Sequence, residues 1–137
     1  MKPLPMHANR VLEQLTSGLN KPGDHRTINN AEGFMPVHVE HVAVSRFGPV
    51  FSVAHYYEQN GDLMRDPEML FVLFPGGFFY PVYFRQDGGL AFEQEPVDLD
   101  AGTCQPAIQA ELVTFANLWM RNIRHQQHLR MSVEVEK

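Results

Sequence analysis

The chain has 137 residues, 44% of them hydrophobic and 20% charged, with a single cysteine and a formal net charge of −5. That length suits one domain around one core, the apolar and aromatic content excludes a disordered polymer, and a lone Cys104 excludes both an internal disulfide and a thiolate zinc cage. The charge is uneven: residues 31–100 hold three basic side chains, Arg46, Arg65 and Arg85, against eleven acidic ones, so an acidic middle lies between net basic ends.

Ala8, Val11, Leu12, Leu15 and Leu19 recur three and four residues apart, the period of one helical face, and predict an amphipathic helix from Pro5 to Leu19. The next stretch, 20–33 (NKPGDHRTINNAEG), mixes Gly, Pro, Asn and charge without a period and reads as a surface loop. Strand texture runs over 35–95. Val37, Val39, Val42 and Val44 are β-branched, but their parity switches after Val39, so a bulge near Glu40-His41 is required if both pairs are to face the core. Phe47-Gly48-Pro49 turns the chain, and Val50 to Glu58 alternates with Phe51, Val53, His55 and Tyr57 on one side. Asn60-Gly61 is the strongest short hairpin signal present.

The return strand starts at Asp62, breaks at Asp66-Pro67 because proline has no N–H for a ladder, and resumes from Glu68 to Phe74. Phe78 to Gln86 and Leu90 to Glu95 follow, joined by tight turns, with Pro81 marking an edge or irregular position. After an acidic connector (PVDLDAGTC), Pro106 opens a second helix, in which Ile108, Leu112, Phe115, Trp119 and Ile123 trace one stripe as far as about Leu129. Residues 132–137 are a tail whose Val133 and Val135 alternate as a short strand would.

The expected fold class is therefore α+β: a single domain, 1–137, with a five-stranded antiparallel meander sheet and both helices packed on one face. Phe78, Tyr80, Val82 and Phe84 are opposed by Phe79 and Tyr83, so the face away from the helices is also aromatic and needs a cover. A second protomer is the least demanding cover, and a homodimer is expected. No apolar run approaches the ~18 residues of a membrane span, and MKPLPMHANR lacks the apolar stretch of a secretory signal, so a cytoplasmic protein with no membrane partner is expected.

Chemistry-bearing residues form two groups. Glu58, Asp62, Asp66 and Glu68 surround the Asn60-Gly61 hairpin, with Tyr56, Tyr57 and Tyr80 as neighbouring aromatics. Such a surface suits a basic protein partner, the carboxylates steering the encounter and the rings supplying buried area. The rival reading is a metal-dependent hydrolase or nuclease, with the same carboxylates holding Mg²⁺ or with His38, Glu40 and His55 as zinc or iron ligands. The strand Glu68-Met69-Leu70-Phe71 lacks the lysine that a two-carboxylate nuclease wants, and the spacing misses a calcium loop. A non-enzymatic binding or regulatory protein, with no catalytic residue, metal or cofactor assigned, is the favoured expectation.

Cys104 in GTCQP has no base oriented toward it and reads as an incidental or buried thiol. Arg121, Arg124, His125 and His128 sit near the end of the second helix, where positive charge favours the dipole. A phosphate or acidic partner is the functional alternative, but net acidity makes direct nucleic-acid binding a poor expectation.

The segment from His55 to Glu95, through HYYEQNGDLMRDPEM, YPVYFRQD and FEQE, resembles a family of small uncharacterised proteins, a domain of unknown function, encoded on plasmids and integrative conjugative elements. Tyr57, Asn60, Gly61, Asp62, Met64, Asp66, Pro67, Glu68, Met69, Tyr80, Pro81 and Gln94 carry the resemblance. It implies an accessory role in a mobile genetic element and supplies no active site.

Overall fold

A computed structural model describes residues 1–130, so the expected tail strand at Val133 and Val135 lies outside the described residues. In chain order the elements are α1 (Met6–Thr16), β1 (His25–Ile28), β2 (Val37–Ser45), β3 (Gly48–Gln59), β4 (Asp62–Phe74), β5 (Phe78–Gln86), β6 (Phe92–Gln94), β7 (Val97–Asp98), β8 (Thr103–Cys104) and α2 (Pro106–Gln126). Strands β1 to β6 form one sheet in sequential order with every neighbouring pair antiparallel, and β7 and β8 form a separate ribbon. The fold is thus the expected α+β meander flanked by helices, but its sheet has six strands rather than five.

The sixth strand is β1, inside the segment expected to be a loop. HRTI is too short and polar to announce itself, yet Arg26 and Ile28 point to the helix side while His25 and Thr27 point away. Two tertiary contacts hold it. Ile28 packs against the main core, and the Arg26 guanidinium donates to the carbonyls of Leu15 (3.1 Å) and Ser17, closing the C-terminal end of α1. Free carbonyls at a helix end carry partial negative charge, so a cation there satisfies both hydrogen bonding and the dipole. α1 accordingly stops at Thr16, short of the expected Leu19, though Leu19 still enters the core.

The principal core lies between the helices and one sheet face. It joins Ala8, Val11, Leu12 and Leu15 of α1 to Val39, Phe51, Val53, Phe71 and Phe79 of the sheet and to Leu112, Ala116, Trp119, Met120 and Ile123 of α2. The α2 stripe is turned slightly from its expected position. Gln109 is fully buried, Ile108 is half-buried and Phe115 is 37% exposed. Gln109 repays its burial with three bonds: Oε1 accepts from the Lys2 N–H (2.8 Å), and Nε2 donates to the carbonyls of Lys2 (2.9 Å) and Pro81 (3.2 Å). Asn9 bridges in the same way, Nδ2 to Gly77 O and Oδ1 from Phe79 N, both 2.9 Å. A buried amide costs little when its groups are paired, and here pairing ties segments distant in sequence.

Register shifts set which side chains reach which face. The bulge expected at Glu40-His41 falls between His41 and Ala43. His41 joins the buried side at 2% exposure, whereas Val42 and Val44 stay exposed at 37% and 66%, so the second valine pair does not enter the core. The break at Asp66-Pro67 does not end β4. It becomes one extra residue opposite His55, between the pairs Ala54↔Glu68 and Tyr56↔Arg65. A third shift, between Leu70↔Tyr83 and Phe71↔Pro81, puts Phe79 and Phe84 toward the helices and Tyr80, Val82 and Tyr83 on the opposite face. At the β2–β3 turn only glycine fits: Gly48 has φ 142°, and a Cβ there would stand 2.0 Å from the Leu73 carbonyl oxygen.

The face away from the helices carries a second apolar cluster of Val50, Val72 and Val82 with Leu70, Phe74 and Tyr80. Its cover is internal. The acidic connector folds into the β7–β8 ribbon and lays Val97, Leu99 and Cys104 on that cluster. Asp98 turns the ribbon by accepting from the N–H groups of Asp100 and Ala101, both at 3.0 Å. Part of the aromatic surface that was expected to need a second protomer is therefore closed by the chain itself.

Candidate functional site

Beyond the ribbon, the uncovered part of the second face is polar, and strand register explains why. Directly opposed residues of antiparallel strands share a face, so the pairs Thr27↔His38, His38↔Ala54, Ala54↔Glu68, Glu68↔Arg85 and Arg85↔Glu93 form one lateral row across all six strands. The next row holds Glu40, Ser52, Leu70 and Tyr83. Tyr56 and Arg65 flank the first row on its other side.

An ion network organises the row. Arg65 Nε lies 2.9 Å from Glu68 Oε1, and Arg65 Nη1 lies 3.3 Å from Asp87 Oδ2. Arg85 Nε meets Asp87 Oδ1 at 2.8 Å, and Ser52 Oγ donates to Glu68 Oε2 at 2.8 Å. Asp87 also accepts from the Arg65 backbone N–H (2.9 Å) and returns its own N–H to the Arg65 carbonyl (3.0 Å), which docks the β5–β6 turn on β4. The Arg65 backbone bond first, and then Arg85, hold the Asp87 carboxyl below its ordinary range. Burial, then the hydrogen bond to Glu93, pushes the Tyr83 phenol up to about 12. Burial and the nearby Glu68 raise Tyr56, with Arg65 opposing and Glu40 adding to the rise. His38, whose Nδ1 is 3.1 Å from Thr27 Oγ1 and whose ring is 5.0 Å from that of Tyr56, is lowered by burial and then by His55.

The sequence-predicted residues are only partly brought together. Tyr56 and Glu68 belong to this network. Glu58 and Asp62 are exposed at the tip of the β3–β4 hairpin, where they occupy opposite faces, because Glu58 pairs with Leu63 and Asp62 with Gln59. Asp66 is half-buried at the register shift. Tyr57 projects to the other face, its hydroxyl so close to Gly88 that a methyl group there would stand 2.2 Å away. Tyr80 is separated from the rest. It pairs with Val72, seven residues along β4 from Arg65, about 24 Å at strand rise, and meets Phe74 with the rings tilted by 45° and their centroids 4.5 Å apart.

The rival metal clusters do not assemble. His38 shares a face with Ala54, so His55 points the other way, its ring edge on Trp119 (5.5 Å) and its Nδ1 3.0 Å from Pro36 O. Among the described residues, no group of three or more His, Cys, Asp or Glu side chains stands close enough to hold a metal ion. Of the four hairpin carboxylates, Glu68 is committed to Arg65 and Ser52, and Glu58 and Asp62 diverge. Cys104, in β8 of the ribbon, is half-buried against the second apolar cluster.

A family model described as a domain of unknown function (DUF6908) matches residues 7–129. The chain belongs to this family. The match spans α1 through α2, well beyond the His55–Glu95 stretch that carries the sequence resemblance, so both helices and the ribbon lie within the matched region. No curated protein and no solved structure matches the chain.

Sequence reasoning missed Arg65, Ser52, Arg85, Asp87, Tyr83 and Glu93 as a unit. The only local traces were Arg65 three residues before Glu68 and Arg85 two residues before Asp87. In the sheet ladder residues 56–59 and 62–65 pair only with each other, but Asp87 bonds the Arg65 backbone and Gly88 lies against the Tyr57 hydroxyl, so the β5–β6 turn backs the base of this arm and its end pairs, Glu58↔Leu63 and Gln59↔Asp62, project beyond the neighbouring strands. Asn60 and Gly61 both have positive φ, 53° and 84°, the geometry of a type I′ turn whose twist suits such an arm. Its tip carries Glu58, Asp62 and a Leu63 that is 63% exposed. Among the described residues, no helix is long and apolar enough to cross a membrane.

Proposed function

We propose that this protein is a non-enzymatic binding or regulatory module that engages a basic protein partner through the β3–β4 arm and the adjoining Tyr56–Glu68 end of the polar row. The projecting end of the arm carries the reading: Glu58 and Leu63 are exposed on one face and Asp62 on the other, while the cations at its base, Arg65 and Arg85, are already neutralised by Glu68 and Asp87. The tip is therefore net negative with an apolar centre, which favours steering of a basic surface and then burial of a leucine. Tyr80 stands outside this surface. An accessory role in a mobile genetic element, a cytoplasmic setting and a homodimeric state belong to the same proposal and rest on the sequence.

The test is binding of a fluorescent lysine-rich peptide and capture of host proteins across a salt series, comparing the full chain with Glu58→Lys/Asp62→Lys. The expected result is affinity that falls with salt and is lost in the double variant, whose exposed positions leave the fold intact. Unchanged capture and unchanged salt dependence in the variant would refute the proposal.

A further inference from the structure

A different surface carries an inference about self-association. The outer side of α2 presents Glu111, Thr114, Phe115, Leu118, Arg121, Asn122 and His125, all exposed, at the three- and four-residue spacing of a single helix stripe. Its centre is apolar. Leu118 is 56% exposed and Phe115 37%, and Phe115 continues through Phe84 (5.2 Å between rings) to a Phe92 that is 50% exposed on edge strand β6. Beside this stripe lies a groove of about 210 Å³ lined by Phe84, Phe92, Gln94, Glu111, Leu112 and Phe115. Three aromatic or leucine side chains left in water next to an apolar groove form a patch of the kind that marks an association site.

We propose that the occupant is a second copy of this chain, with the two α2 helices packed antiparallel about a two-fold axis near Phe115 and Ala116. The charge order selects that partner and direction. The stripe is acidic at its N-terminal end, Glu111, and basic at its C-terminal end, Arg121, with the apolar pair between them. In an isologous contact a residue that meets a second residue of the partner is repeated across the axis with the roles exchanged. Reversing the helix about residue 116 therefore sets Glu111 of each copy beside the partner's Arg121, and sets Leu118 over the partner's groove. A parallel arrangement would oppose Glu111 to Glu111 and Arg121 to Arg121. This inference rests on the dimeric part of the proposed function, not on the arm, and it moves the dimer contact from the second sheet face to α2.

The experiment is sedimentation equilibrium of the full chain over a concentration series, with circular dichroism to verify folding. The wild type is expected to dimerise, and Leu118→Glu to weaken the dimer about tenfold or more, since an exposed leucine becomes a charge in the contact. Glu111→Arg is expected to weaken it too, and Glu111→Arg with Arg121→Glu to restore it, a rescue that a merely structural role would not produce. A chain monomeric at every concentration overturns the proposal. A dimer indifferent to Leu118→Glu, or a double charge swap no better than the single one, also overturns it. Neither outcome touches the β3–β4 arm, whose test uses the peptide probe.

Discussion

Replacing Asp87 by Asn removes one charge and leaves the side-chain shape and one acceptor in place. The Asp87 side chain is only 13% exposed, and it faces the Arg65 guanidinium at 3.3 Å and the Arg65 backbone N–H at 2.9 Å. Arg65 is about one-third exposed, so that ion pair contributes a few tenths of a kcal/mol after solvent screening. Charge assistance of the backbone hydrogen bond adds about 1 kcal/mol. The Arg85 side chain is 41% exposed, so solvent screens its pair with Asp87 and it adds little. The expected loss is about 1–1.5 kcal/mol at neutral pH, or a Tm lower by about 3–5 °C for a domain of this size.

The pH dependence makes the test specific. Asp87 is held below its ordinary carboxyl range in the folded protein, so its contribution is complete above that range and disappears as the pH falls through the folded value. Urea unfolding of wild type and Asp87→Asn is expected to show the full difference at pH 7 and convergence at increasingly acid pH below about 4. A gap that stays constant down the acid limb, or no gap at pH 7, would refute the reasoning that charge on Asp87 docks the β5–β6 turn.

Two further outcomes follow from burial. Gln109→Leu should cost about 2–3 kcal/mol, because the Lys2 backbone and the Pro81 carbonyl lose their partner; limited proteolysis should then cleave the first few residues earlier, and equal cleavage would count against the latch. Val97→Asp should lift the ribbon from Val50, Val72 and Val82, raising binding of a hydrophobic dye while the sheet's circular dichroism persists. Dye binding at the wild-type level would mean that the ribbon is not what shields that face.

The hairpin at Asn60-Gly61 and the period of α2 were readable because each depends on residues within a turn or two of one another. The α2 stripe was still misplaced at its edge: Ile108 was expected inside and Gln109 is there, since the amide finds partners on Lys2 and Pro81 that no local pattern announces. The candidate site was legible in half. The arm's acids could be counted along the chain, but that Asp62 takes the face opposite to Glu68 was decided by the extra residue opposite His55. Tyr80 shows the same limit, close in sequence pattern yet at the far end of β4.

By itself the sequence determined the class of fold, the order of the meander and the two helices, because apolar periodicity and turn chemistry are local and act whatever surrounds them. Tertiary structure alone decided that HRTI becomes a strand, that the acidic connector becomes a cover, and that Arg65, Glu68, Arg85 and Asp87 meet. Each of these is stabilised by a group far away in the chain: carbonyls at the end of α1, valines on β3 to β5, or a turn beyond the next strand. Such contacts exist only once the sheet has formed.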